Sequence, residues 1–138
     1  MTIIKTLIEK HYESVVALRR HFHTYPELSA QEFHTQQKIM DELSALGLQP
    51  KKIAVTGVIA DLQGAFPGKT VAIRADIDAL ELQDECCKSY QSQNPNVCHA
   101  CGHDGHAAML IGIAKVLVEL QSELIGTVRF LFQPSEER

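Results

Sequence analysis

Apolar side chains at Ile4, Leu7, Ile8, Val15, Leu18 and Phe22 recur at helical spacing over residues 3–23, with His11 interrupting the stripe. Pro26 limits how far that helix runs. Ser29-Ala30-Gln31-Glu32 has the form of a capping box, with Ser29 as N-cap and Glu32 reaching back. The helix it predicts carries Phe33, Met40, Leu43 and Leu46, and Gly47 closes it. From Ile53 to Leu62 the chain turns to Val- and Ile-rich segments broken at Thr56-Gly57, which predicts two short strands. Gly64 to Gly68 predicts a turn, and Thr70 to Asp76 a buried strand ending in an acid. Glu81 to Asn96 is polar and aperiodic, a loop long enough to be either functional or poorly ordered. Helical spacing returns over residues 105–121, with Asp104 as the expected N-cap and Leu110, Ile113 and Leu117 as expected core. Thr127 to Phe132 predicts a last strand, introduced by Gly126 and stopped by Pro134. Strands alternating with helices predict an α/β fold with at least some parallel pairing.

Composition narrows the class. At 138 residues the chain is read as one domain, residues 1–138, with enough length to bury a core. Hydrophobic content of 45% against 22% charged residues is that of a soluble globular protein. A net charge of -4 argues against a nucleic-acid partner, and the one tight basic pair, Arg19-Arg20, falls inside a helical pattern. No run reaches the roughly 18 apolar residues of a membrane span, so no membrane partner is expected. Residues 1–20 carry charges throughout, without the apolar centre of a signal peptide, which makes the cytoplasm the expected compartment. The four cysteines, at 86, 87, 98 and 101, are read as reduced thiols or ligands rather than disulfides.

The candidate chemistry is concentrated in Cys98-His99-Ala100-Cys101-Gly102-His103-Asp104-Gly105-His106. Two thiols and three imidazoles, the ligand types zinc prefers, fall within nine residues. By itself Cys98-x-x-Cys101 is equally a structural zinc site, a redox dithiol or two unrelated thiols. Sites in open α/β sheets form at the carboxyl ends of strands. Asp76 and the pair Glu136-Glu137 stand at such ends. A helix N-terminus and a nearby metal would lower the Cys101 pKa. A metal-binding loop with a carboxylate pair is the minimal equipment for metal-assisted hydrolysis.

Four segments carry a family resemblance. They are Arg20 to Leu28 (RHFHTYPEL), Arg74 to Leu80 (RADIDAL), Asn94 to His106 (NPNVCHACGHDGH) and Gln133 to Glu137 (QPSEE). In this order they resemble the di-metal amidohydrolases, which include hippurate hydrolases, auxin-conjugate hydrolases and N-acetyl-diaminopimelate deacetylases, within the aminoacylase and carboxypeptidase family. The resemblance implies the mixed-sheet α/β sandwich of zinc exopeptidases, present in part. It implies Cys101, His103 and Glu137 as metal ligands, Glu136 as general base, and Asp76 as the acid that orients the ligands. It implies two divalent metal ions, with zinc, manganese, cobalt or nickel all acceptable to such donors. The implied substrate is a small N-acyl amino acid or related conjugate. Members of the family continue well past this point with two further histidine ligands and a lid or dimerisation domain. The chain is therefore expected to be the N-terminal portion of a catalytic domain, lacking that lid, with a homodimer possible for the whole family protein.

This chain departs from the family pattern at Cys98, where Met is usual, at Glu81 for Pro, at Ser135 for Ala and at Arg138 for Gly. Arg74 stands where many relatives have a metal-binding His, so no ligand is assigned to it. Cys98 is read as a bystander, His21 and His23 as structural helix residues, and His11 and His34 as ordinary polar positions. His99 and His106 are equally supports for the ligands or simple loop residues. Cys86, Cys87, Asp84 and Glu85 receive no role. Two other functions stay open: a catalytically inactive fragment of such an enzyme, and a small structural-zinc or redox thiol domain built on Cys98, Cys101 and His103.

Overall fold

The computed structural model describes residues 2–138. Helix α1 (Ile3–Thr24) is followed by α2 (Phe33–Ala45), β1 (Lys51–Ile53), β2 (Gly57–Gln63) and β3 (Phe66–Asp76). Helix α3 (His103–Glu119), a single 3-10 turn (Gln121–Glu123) and β4 (Ile125–Gln133) complete the order. The strands form one mixed sheet in the order β1-β2-β4-β3. β1, β2 and β4 pair antiparallel, while β3 lies parallel to β4, with α3 in the crossover between them. The expected α/β fold with some parallel pairing is the one observed.

Alternation along the strands decides which face is covered. Val58, Ala60 and Leu62 of β2 and Phe130 and Phe132 of β4 are buried, and form one cluster with Ile39 and Leu43 of α2 and Leu110, Ile111 and Ala114 of α3. Full burial of each Phe contributes about 1.5–3 kcal/mol, so this face carries the stability of the domain. Leu18 and Phe22 of α1 join the same cluster through α3. On the opposite face Asp61 and Arg129 sit directly across from each other and form a two-point ion pair, at 2.8 and 2.7 Å.

Several local expectations are corrected. Ser29 is not the N-cap of α2; Glu32 holds that position and makes no side-chain capping bond. The first amides of α2 are instead taken by Glu27, which accepts from the His34 N–H at 3.1 Å and the Thr35 N–H at 2.8 Å. Asp104 is not the N-cap of α3; Gly102 holds that position in left-handed backbone at φ 80°. The Gly64–Gly68 turn is shorter than expected, because β3 already begins at Phe66. β3 is mostly exposed rather than buried, since only β4 flanks it, and burial is confined to Ala75 and Asp76 at its end. Ile113 is 38% exposed and does not join the core. Gly47 does close α2, at φ 82°, with the Leu48 N–H returning to Leu43 O at 3.2 Å.

The polar segment after Leu80 is folded. Asp84 is buried and accepts from the N–H groups of Cys86 (2.8 Å) and Ser92 (2.7 Å), which bends the loop into a turn. Asn94 ties its far end to the segment just after α1 by donating to Pro26 O at 2.6 Å. Cys98 then pairs through its backbone with Leu80, 3.0 Å in both directions, so the loop closes on itself just before the Cys/His segment.

Candidate metal centre

The carboxyl ends of β3 and β4 and the N-terminus of α3 meet at one place. β3 delivers Asp76, and the Ile77 N–H still donates to Gln133 O (3.1 Å), so the ladder runs one residue further before Asp78. Beyond β4 the backbone reverses at Ser135, φ 56°. Glu32 braces that reversal. Its fully buried carboxylate accepts from the Ser135 N–H at 2.9 Å and the Thr56 hydroxyl at 2.6 Å. The residue expected to cap a helix thus fixes the segment that carries Glu136 and Glu137.

Asp78, 1% exposed, joins the three segments. Its carboxylate accepts from the Ser29 hydroxyl (2.7 Å) and the Glu137 N–H (3.0 Å), and lies 3.2 Å from His103 Nδ1. Burial alone would raise its pKa. The hydrogen bonds from the Glu137 backbone and the Ser29 hydroxyl outweigh that and leave the carboxyl below its ordinary value. His103 Nδ1 is also 3.0 Å from the Asp78 carbonyl, so this nitrogen is committed to Asp78 and Nε2 is turned outward. Nε2 faces Glu136 Oε2 at 3.8 Å and Glu137 Oε1 at 3.9 Å. Those spans are too long for hydrogen bonds and suit donors that converge on one cation.

A second group shares the same histidine. Asp76, His103 and His106 also bring ligand atoms within 4.8 Å of one another. The His106 ring stacks on His103 at 5.3 Å between centroids, and its Nδ1 is 4.0 Å from Asp76 Oδ2. Arg74 reaches that same oxygen at 3.3 Å, while Asp76 Oδ1 is buried without any partner. An orphaned buried carboxylate oxygen, next to an imidazole with its outer nitrogen free, fits a divalent cation.

Cys101 stands exposed beside this group. The neighbouring Glu137 carboxylate, with Glu136 and Asp78 close by, raises its pKa. These carboxylates oppose the lowering expected from the helix N-terminus and a nearby metal, and a bound cation would act against them.

Of the residues expected from sequence, Asp76, His103, Glu136 and Glu137 fall in groups of converging donors, while Cys101 lies near Glu137 but in none of those groups among the described residues. Cys98 is buried and belongs to none of the groups of potential ligands among the described residues. Sequence reasoning missed Asp78. An acid two residues beyond Asp76 keeps to the same side of an extended chain, and that spacing was the available signal.

His99 is buried with neither ring nitrogen partnered, and burial lowers its pKa from 6.5 to about 4. The unfolded chain therefore takes a proton at this residue that the folded chain refuses. The stability this represents is complete above pH 6.5 and is lost as pH falls toward 4. At one proton it amounts to about 3 kcal/mol. His99→Leu is expected to flatten the pH dependence of urea unfolding across that window. An unchanged dependence would place the acid sensitivity elsewhere.

Residues 72–138 match the peptidase family M20/M25/M40. An N-acyl-L-amino acid amidohydrolase of Geobacillus stearothermophilus is 48% identical over 135 residues, 97% of this chain and 36% of that protein. The chain belongs to the M20/M25/M40 peptidase family. An N-acetyl-L-cysteine deacetylase of Bacillus subtilis is 45% identical to this M20-family chain over 126 residues, 91% of the chain and 30% of the deacetylase. A dinuclear metal-binding M20 peptidase from Bacillus subtilis superposes with a TM-score of 0.90 at 42% identity, over 94% of this chain and 36% of that one. The M20-family chain spans about a third of the length of the curated relatives it matches.

Proposed function

We propose that this protein is a metal-dependent amidohydrolase that cleaves the amide bond of N-acyl amino acids or closely related conjugates. The observation that carries the proposal is His103, whose Nδ1 is committed to Asp78 while Nε2 faces Glu136 and Glu137 at 3.8 and 3.9 Å. Residues 1–138 are taken as part of the catalytic domain, supported by relatives that match 97% of the chain.

Cys101, His103 and Glu137 would hold the metal, and Asp76 with His106 offers donors for a second ion next to it. Two divalent ions, when bound, supply Lewis acidity to a carbonyl oxygen and make a water acidic. Asp78 keeps the His103 ring in one tautomer. Glu136, the more exposed acid of the pair at 39% against 22%, takes a proton from the attacking water on its carboxylate and returns it to the leaving nitrogen. Zinc, manganese, cobalt and nickel all suit these donors. The four free thiols fit a cytoplasmic enzyme. Among the described residues no helix is long and apolar enough to cross a membrane. The family likeness supports a homodimer.

The test is release of the free amino acid from N-acetyl and N-aroyl amino acids by protein supplied with each of the four metals. Hydrolysis that a chelator abolishes and metal restores is the expected result. Turnover that survives exhaustive chelation would remove the metal from the mechanism. A metal-loaded protein that releases no amino acid from any of these amides would overturn the assignment.

A further inference from the structure

A separate group of potential ligands lies where α1 meets the loop after Leu80. Ligand atoms of His23, Asp84 and Cys86 fall within 4.8 Å of one another, and none of these residues belongs to the centre at His103. We propose that His23, Asp84 and Cys86 form a second cation site, which takes a divalent ion of the zinc class and fastens the loop to α1.

The orientation of His23 is the main support. The residue is 6% exposed, and its Nδ1 is 2.7 Å from Asp104 Oδ2. Asp104 is held in turn by Arg19 Nε at 2.9 Å. A carboxylate on one imidazole nitrogen is the arrangement that orients a histidine to bind metal through the other. That other nitrogen, Nε2, is buried and makes no hydrogen bond, although Asp84 Oδ2 lies 3.3 Å away. With the proton on Nδ1, an imidazole lone pair faces carboxylate lone pairs across this gap. Two buried acceptors facing each other need something positive between them.

The rest of the cluster is rigid. Asp84 is fixed by the N–H groups of Cys86 and Ser92, and the same turn carries the Cys86 thiol alongside. Tyr90 packs edge-on against His23 at 5.7 Å and closes the site from the loop side. Zinc donors lie 2.0–2.3 Å from the ion, hence roughly 3.3–3.8 Å from each other. His23 Nε2 and Asp84 Oδ2, 3.3 Å apart, already stand at that spacing. Asp84, Asp104 and a Cys86 thiolate, set against Arg19, leave two negative charges, the complement of a divalent cation. Binding displaces the thiol proton to solvent.

Cobalt(II) titration of the Cys101→Ser protein tests this, because the thiol at the other centre is then gone. A thiolate-to-cobalt charge-transfer band is expected to persist, to survive Cys87→Ser and to vanish on Cys86→Ser. A band abolished by Cys101→Ser alone, or indifferent to Cys86→Ser, overturns the proposal. Should the doubly substituted protein fail to fold, alkylation of Cys86 in the Cys101→Ser protein decides. Zinc is expected to slow it roughly tenfold or more. An unchanged rate, or a His23 ring still carrying both protons by NMR in zinc-saturated protein, means that a proton and not a metal fills the gap.

Discussion

Glu136→Gln is expected to lower amide hydrolysis by about 10²–10⁴-fold while the melting temperature and the bound metal stay at wild-type levels. The glutamine keeps the shape of the side chain and removes its ability to take a proton. That carboxylate is 39% exposed and lies 3.8 Å from His103 Nε2. The measurement is kcat at saturating metal, with metal content and thermal unfolding on the same sample. If metal is lost together with rate, Glu136 is a ligand and the roles of the two acids are exchanged. If the rate is unchanged, the base lies elsewhere.

Asp78→Ala should have the other large effect, this time on the metal. Without the carboxylate the His103 ring keeps only the backbone carbonyl of residue 78 on Nδ1, at 3.0 Å, and loss of an orienting carboxylate costs about 10–100-fold in metal affinity. The Ser29 hydroxyl and the Glu137 N–H also lose their acceptor. Each buried donor left unpaired costs about 1–3 kcal/mol. Asp78→Asn keeps an acceptor oxygen, so calorimetric titration with manganese or zinc should rank wild type above Asn and Asn above Ala. The carboxyl is held below its ordinary pKa, so its contribution is complete above the unfolded value of about 4 and is lost as pH falls through the folded one. Asn should therefore lose part of the wild-type acid unfolding as well. Wild-type metal affinity in the Ala variant would show that the Asp78 carboxylate does not position His103.

What the sequence discloses and what it hides divide along one physical line. The helices and the later strands follow from short-range periodicity, and Gly47 from the backbone conformation that its position demands. Cys101, His103, Glu136 and Glu137 stand out because reactive side chains are dense in two short stretches. Buried polar pairing is different. Glu32 looks like a capping residue within its own helix, yet its partner Ser135 lies 103 positions away. Ser29 likewise serves Asp78, 49 positions on, and His23 looks like a helix-end residue until Asp104 and Asp84 enclose it. Local pattern carries no information about such partners. The exposure of β3 is hidden for the same reason, because an apolar strand reads alike at the centre of a sheet and at its edge.

The placement of β4 bears on how the domain is made. It is the last of the described strands in the chain, yet it lies between β2 and β3, which have no ladder with each other. As the polypeptide leaves the ribosome, the β1–β2 hairpin and β3 must wait, unpaired along one edge, until β4 arrives. Sheets closed by such distant partners form slowly and expose sticky edges meanwhile. The strand edges that β4 covers should therefore stay open to chaperones until Gln133 has emerged.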